Sequence, residues 1–197
     1  MASQMHTEFV HRGRRALMRI DGRWVIGSLM VLFAACATAP RTSAERRDLD
    51  ASAQATLQTM RTKDPGLNAL LASADGYAVF PDIGKAGMVA GGAYGRGILY
   101  ERGRKVGYVE LNQGSIGAQL GAQTFAELIV FGSKLEVDKV KAGNFSLGAN
   151  ASAIALTTGA SAAARFTEGV VVFTMPRGGL MAELTVSGQQ LNYSPGG

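Results

Sequence analysis

Residues 64–81 read DPGLNALLASADGYAVFP, and the change of period inside this stretch decides the fold. Up to Ala74 the apolar positions Leu67, Leu70, Leu71 and Ala74 keep helical spacing, with Asp64 and Pro65 as an N-cap and first-turn signal and Gly76 as a stop. Beyond Tyr77 the period becomes two, the signature of strands whose faces have different surroundings. Upstream, Thr42 and Glu45 offer a capping box that opens a helix over roughly residues 43–62. Its apolar positions Leu49, Ala53, Leu57 and Met60 stand opposite Arg46, Arg47, Asp50, Gln54 and Arg61. Two amphipathic helices therefore precede the strands.

Downstream, the clearest alternation is Phe145, Leu147, Ala149, Ala151, Ala153 and Ala155 against Ser146, Gly148, Asn150 and Ser152. Residues 116–123 and 180–187 alternate in the same way. Further strands are expected near 77–81, 88–100, 105–112, 124–131, 169–175 and 189–194, separated by turn chemistry at Arg102-Gly103-Arg104, Gly143-Asn144 and Pro176-Arg177-Gly178-Gly179. A short helix interrupts them, with Ser133 and Glu136 as its capping box and Gly143 as its stop. Short connections favour antiparallel pairing, because parallel strands need a long crossover. The expected class is α+β: N-terminal amphipathic helices followed by a twisted, barrel-like antiparallel β-sheet.

The first part of the chain has a different character. Residues 24–39 form an uncharged, mostly apolar run of sixteen, preceded by arginines and followed by Pro40 and Arg41. About 20 residues are needed to span a bilayer, so this run reads as the apolar centre of a secretory signal. A start at Met18 would give that signal a compact basic region. Leu32-Phe33-Ala34-Ala35-Cys36 resembles a bacterial lipobox, in which the cysteine is diacylated and becomes the new N-terminus; Phe33 stands where a branched aliphatic residue is usual. The competing reading is ordinary cleavage near Ala35 or Ala37. The expected organisation is a signal peptide over 1–35, a lipidated (palmitate-type) Cys36 with a tether over 36–42, and one domain over 43–197. In lipoproteins of this kind Ala37 after the cysteine implies an outer-membrane anchor with the domain facing the periplasm.

Composition narrows the function. Of the formal charge of +5, three units come from the segment before Cys36, where Arg12, Arg14, Arg15, Arg19 and Arg23 oppose only Glu8 and Asp21. The remaining +2 gives no basis for nucleic-acid binding, which needs a concentrated basic face and stacking platforms. His6 and His11 also precede Cys36, the only cysteine. Ser-His-Asp, Cys-His and histidine-based zinc sites are therefore not expected, nor is any cofactor, and no carboxylate spacing marks an acid–base pair. The run from Gly84 to Gly97 lacks the spacing of a P-loop, and Tyr100 stands where a dinucleotide fingerprint after Gly95 and Gly97 would need its third glycine. Its glycines suit strands that bend and approach closely. Lys85, Arg96, Arg102, Arg104 and Lys105 are the candidate ligands for an anion such as a phospholipid head group, since guanidinium forks match phosphate oxygens. For the last three, the competing reading is solvated charge at a hairpin tip.

Tyr77-Ala78-Val79-Phe80-Pro81, Lys85-Ala86-Gly87, Gly91-Gly92, Gly95-Arg96-Gly97, residues 115–123 and Arg177-Gly178-Gly179-Leu180-Met181-Ala182-Glu183-Leu184 together resemble the SYLF-domain family over about residues 45–194. The resemblance implies a lipid-binding module. Eukaryotic members bind phosphoinositide membranes with help from an amphipathic N-terminal segment, some bind actin, and bacterial members are often exported lipoproteins. Lys85 and Arg96 match the family pattern, and no catalytic residue is implied. Actin is not an expected partner in a bacterial envelope. The expected function is a non-catalytic, membrane-anchored lipoprotein that binds anionic phospholipid head groups; the alternative is an envelope protein–protein interaction module. For the anchor, protein from native membranes should show the intact mass of a chain starting at an acylated Cys36, and Cys36→Ser should abolish that species. An unmodified chain cleaved nearby would exclude the anchor.

Overall fold

Thr42 and Glu45 cap the first helix reciprocally. The Glu45 amide donates to the Thr42 hydroxyl at 3.1 Å, and the Thr42 amide donates to the Glu45 carboxylate at 3.5 Å. The chain is described as a computed structural model covering residues 42–87, 90–116, 122–148, 150–151, 153–178 and 186–196. Helix α1, Ser43–Lys63, buries Ala53, Thr56, Leu57 and Met60, and α2, Leu67–Ser73, buries Leu67 and Leu71. Asp64 is not the N-cap that its sequence position implies: Gly66 holds that place, without a side-chain cap. The Asp64 carboxylate instead accepts the amides of Gly66 at 3.1 Å, Gly159 at 3.3 Å and Ser161 at 2.7 Å, joining the helices to a segment almost a hundred residues away. No local pattern could report so distant a partner.

The strands are β1 Gly76–Gly87, β2 Ala90–Glu101, β3 Arg104–Ile116, β4 Ala122–Phe131, β5 Phe145–Ser146, β6 Ala153–Ala155, β7 Val170–Gly178 and β8 Gln190–Pro195. Helix α3, Lys134–Lys141, lies between β4 and β5, and α4, Ala160–Ala163, between β6 and β7. They form one sheet in the order β5-β8-β3-β2-β1-β4-β7-β6. Arg102 and Gly103 both take positive φ at the β2–β3 hairpin, 49° and 76°, as a tight two-residue turn requires.

The α+β class holds, with three corrections to its details. The sheet is mixed, because β6 pairs with β7 in parallel. The connection through α4 is long enough for the crossover that such a pair requires. The long alternation over 145–155 is not one strand: β5 pairs with β8 at one edge, β6 with β7 at the other, and the described residues between them, 147–148 and 150–151, belong to neither. Most of its alternating residues are alanine, serine, asparagine and glycine, whose small size gives alternation little power to fix a face. Finally, Ser133 begins α3 without a side-chain cap, and Glu136 pairs with Lys139 instead. The alternation over 116–123 ends in β3 and begins in β4, with 117–121 outside the described residues; of 180–187, only Val186 and Ser187 are described.

The sheet carries apolar side chains on both faces. One face places Tyr77, Val79, Ile98, Tyr108, Leu128 and Phe173 against Leu57 and Met60 of α1 and Leu67 and Leu71 of α2. The other places Phe80, Leu99, Leu111, Phe125 and Ile129 against Val137 and Val140 of α3, together with Leu147 and Val186. Neither layer could be removed without exposing a sheet face, since burial of each large side chain contributes about 1.5–3 kcal/mol.

Asp64 gives this arrangement a measurable pH dependence. Burial alone would raise its pKa from 3.8, but the amides it accepts outweigh that effect and hold it lower. A carboxylate with a depressed folded pKa stabilises fully above its unfolded pKa and loses the contribution as pH falls through the folded value. Asp64→Ala should cost about 2–3 kcal/mol at pH 7 in urea unfolding, because buried amides lose their acceptor. The difference from wild type should shrink below about pH 4. A pH-independent cost would show that the ionised carboxylate is not what holds the junction.

Candidate functional site

Strand β1 carries a bulge between Val79 and Asp82, where Phe80 and Pro81 interrupt the pairing with β2. The two glycines facing that bulge allow the strands to approach. A Cβ on Gly97 would meet the Val79 carbonyl at 2.5 Å and the Phe80 ring at 2.7 Å, and one on Gly95 would meet the Ile83 side chain at 2.6 Å. Arg96 stands between them, on the same face as Ile98 and Tyr100 and so on the side covered by α1. The glycine reading of the sequence therefore has a specific content here: Gly95 and Gly97 make room on one face for an arginine presented on the other.

Arg96 lies opposite Asp82 on β1 and opposite Glu110 on β3, and Glu110 in turn pairs with Asn192 on β8. This polar row crosses a face that is apolar farther along the strands. Glu110 is buried, which raises its pKa, and the Arg96 charge partly counters that shift. Arg96 itself is half-buried and makes no ion pair within 4.0 Å among the described residues.

Above this row lies an open cleft of about 1000 Å³ between α1 and the sheet. Glu45, Asp48, Leu49, Ser52 and Thr56 line it from α1, and Asp82, Tyr94, Arg96, Thr124 and Arg177 line it from β1, β2, β4 and β7. Arg177 donates to the Thr56 hydroxyl at 2.6 Å, which fixes the second guanidinium against the helix. Arg177 reads as a turn residue in sequence; its signal was its place in the terminal glycine-rich pattern rather than any local chemistry.

The five sequence candidates do not converge on this cleft. Arg96 lines it. Lys85 pairs at the backbone with Ala93, three positions from Arg96 along β2 and of opposite parity in the ladder; its side chain lies outside the described residues. Arg102, Arg104 and Lys105 sit at the hairpin end, about 13–20 Å along the strand from Arg96 at the usual rise per residue. Lys105 is engaged by the domain's own groups at the surface. Its ammonium reaches Asp50 of α1 at 2.5 Å and the Tyr108 hydroxyl at 2.8 Å, and lies 4.2 Å from the Tyr108 ring centre. Desolvation would lower its pKa, but Asp50 and Tyr108 raise it overall. Arg102 is 77% exposed and lies 3.7 Å from Asp75. Arg104 is exposed at the tip. Cys36 lies outside the described residues.

Residues 112–194 match the family described as Ysc84: Las17-binding protein actin regulator. That stretch is thus similar to the SYLF-domain family, in line with the sequence resemblance. The matched stretch runs from the end of β3 through β8 and includes Arg177, while Arg96 and α1 precede it. No curated protein matches the chain.

Lys105 ties the β2–β3 hairpin to α1, which forms one wall of the cleft. The Asp50–Lys105 pair is only partly exposed, and such pairs contribute up to about 1 kcal/mol. A double-mutant cycle with Asp50→Ala and Lys105→Ala should give a coupling of about 0.5–1 kcal/mol that falls as salt is raised. Zero coupling would mean that the pair does not help to position the helix.

Proposed function

We propose that this protein is a membrane-anchored lipid-binding module whose cleft takes the phosphate of a phospholipid head group. The observation that carries the reading is Arg96: a half-buried guanidinium without an ion-pair partner among the described residues, at the floor of an open cleft that a second guanidinium, Arg177, also enters. Two planar forks, on β2 and β7 with β1 and β4 between them, can each donate N–H groups to phosphate oxygens, contacts about twice as strong as those between neutral groups. The SYLF match supports the membrane setting, because that family is related to lipid and actin binding.

In this proposal Cys36 carries the acyl anchor at the outer membrane and the domain faces the periplasm. Residues 37–42 then lead directly into α1, so the anchor and the cleft wall are consecutive in the chain. The protein acts by binding and carries out no catalysis. The bilayer would supply the acyl environment, and the cleft would need to recognise only the polar head.

Vesicle flotation with the full chain tests this reading, since residues 24–39 contribute equally to every variant. Arg96→Gln with Arg177→Gln should weaken binding to phospholipid vesicles at least tenfold while leaving the circular dichroism spectrum unchanged, the loss expected for two charge-assisted contacts. Unchanged binding would overturn the assignment. A stoichiometric protein crosslink in cells, insensitive to both arginines, would favour the protein-partner reading that the family's description names.

A further inference from the structure

The cleft is not a cationic site. Arg96 and Arg177 share it with three carboxylates, Glu45, Asp48 and Asp82, so its lining carries one more negative than positive charge. Two of the carboxylates stand apart from the guanidiniums: Glu45 and Asp48 lie one helical turn apart near the start of α1, whereas Arg96 lies on β2 beside Asp82, and Arg177 reaches α1 only at Thr56, eight residues beyond Asp48. Asp48 is exposed and has no ion pair or hydrogen bond among the described residues, so it remains able to receive a ligand. Behind the cleft, the Arg96 row adds Glu110, buried and flanking the guanidinium from the side opposite Asp82.

A purely anionic head group fits this arrangement poorly. Its phosphate would be received by the arginines, while the helix carboxylates would repel any further negative charge. A head group that pairs one phosphodiester with one ammonium can set its phosphate at the two arginines, which outnumber Asp82, and its ammonium at Glu45 and Asp48. We infer that the cleft selects a zwitterionic amino-alcohol phosphodiester, of the ethanolamine type, with phosphate toward Arg96 and Arg177 and ammonium toward Asp48 and Glu45. This rests on the phosphate reading of the cleft above, and it replaces the preference for anionic lipid expected from Lys85 and the hairpin cations. Discrimination of this kind arises from placing like charge against the wrong ligand as well as opposite charge against the right one.

The test uses soluble, deacylated head groups, so that insertion of acyl chains or of residues 24–39 into a bilayer cannot contribute. The full-length protein is titrated calorimetrically with glycerophosphoethanolamine and with glycerophosphoglycerol, two phosphodiesters that differ in the ammonium. Wild type should prefer the former at least tenfold. Glu45→Gln with Asp48→Asn should reduce that preference to less than about twofold; glutamine still serves the capping box, so α1 should persist by circular dichroism. Arg96→Gln should weaken both ligands. Equal or tighter binding of glycerophosphoglycerol, still lost on Arg96→Gln, would overturn the zwitterion inference and leave the phosphate reading intact. A preference that survives the carboxylate substitutions would overturn the assignment to Glu45 and Asp48. Binding of neither ligand would overturn both readings.

Discussion

Residues 147–152 carry the chain from β5, at one edge of the sheet, to β6 at the other. Laid flat, eight strands about 4.8 Å apart would separate those edges by about 34 Å. The seven residue steps from Ser146 to Ala153 reach at most about 25 Å even when fully extended. The sheet must therefore curl, and the rest of the architecture follows from that requirement. Leu147 and Ala151 on the connecting segment pack with Phe80, Phe125 and Ile129, so the curl encloses that face. The opposite face is left to α1 and α2, whose narrower apolar stripes cover its centre but not its whole length.

The incomplete cover is what makes a site. Where α1 buries Leu57 and Met60, the sheet beneath is Val79, Ile98 and Leu128; toward the helix's first turns, the sheet presents Asp82, Arg96 and Glu110 instead. The transition coincides with the bulge in β1, where Pro81 has no amide to give to the ladder. Gly95 and Gly97 accept the backbone of that bulge, and Arg96 is turned toward the helix. A conformational irregularity on one strand and two missing side chains on the next thus decide the placement of one guanidinium.

Much of this was legible in the sequence where the physics is local. The Thr42–Glu45 capping box, the stripe Ala53-Leu57-Met60 and the turn at Arg102-Gly103-Arg104 each involve residues within a few positions, and each appears in its expected place. What failed depends on remote partners. Asp64 resembles a helix cap until the amides of Gly159 and Ser161 are brought to it. The alternation from Phe145 to Ala155 resembles a strand until two different edges claim its ends. Chain proximity also gathered Arg102, Arg104 and Lys105 with Arg96 as one cationic group, whereas the extended geometry of β2 separates them, and Asp50 and Tyr108 engage Lys105.

The two attachments of α1 connect stability to the cleft. At its C-terminal end, Asp64 fastens the junction with α2 to the crossover segment around α4; nearer its start, Asp50 takes Lys105 from the β2–β3 hairpin, and Arg46 lies 5.7 Å from the centre of the Tyr108 ring. Arg177 adds a third point through Thr56, from within the cleft. These contacts come from α4, β3 and β7, and a helix held by all three has little freedom to tilt. The distance between the helix carboxylates and the sheet guanidiniums is therefore fixed before any ligand arrives. Preorganisation of that kind lowers the ordering entropy of binding. It also separates the duties of the basic residues: Lys105 works as a strut, which leaves Arg96, without an ion-pair partner among the described residues, as the group that can meet a ligand.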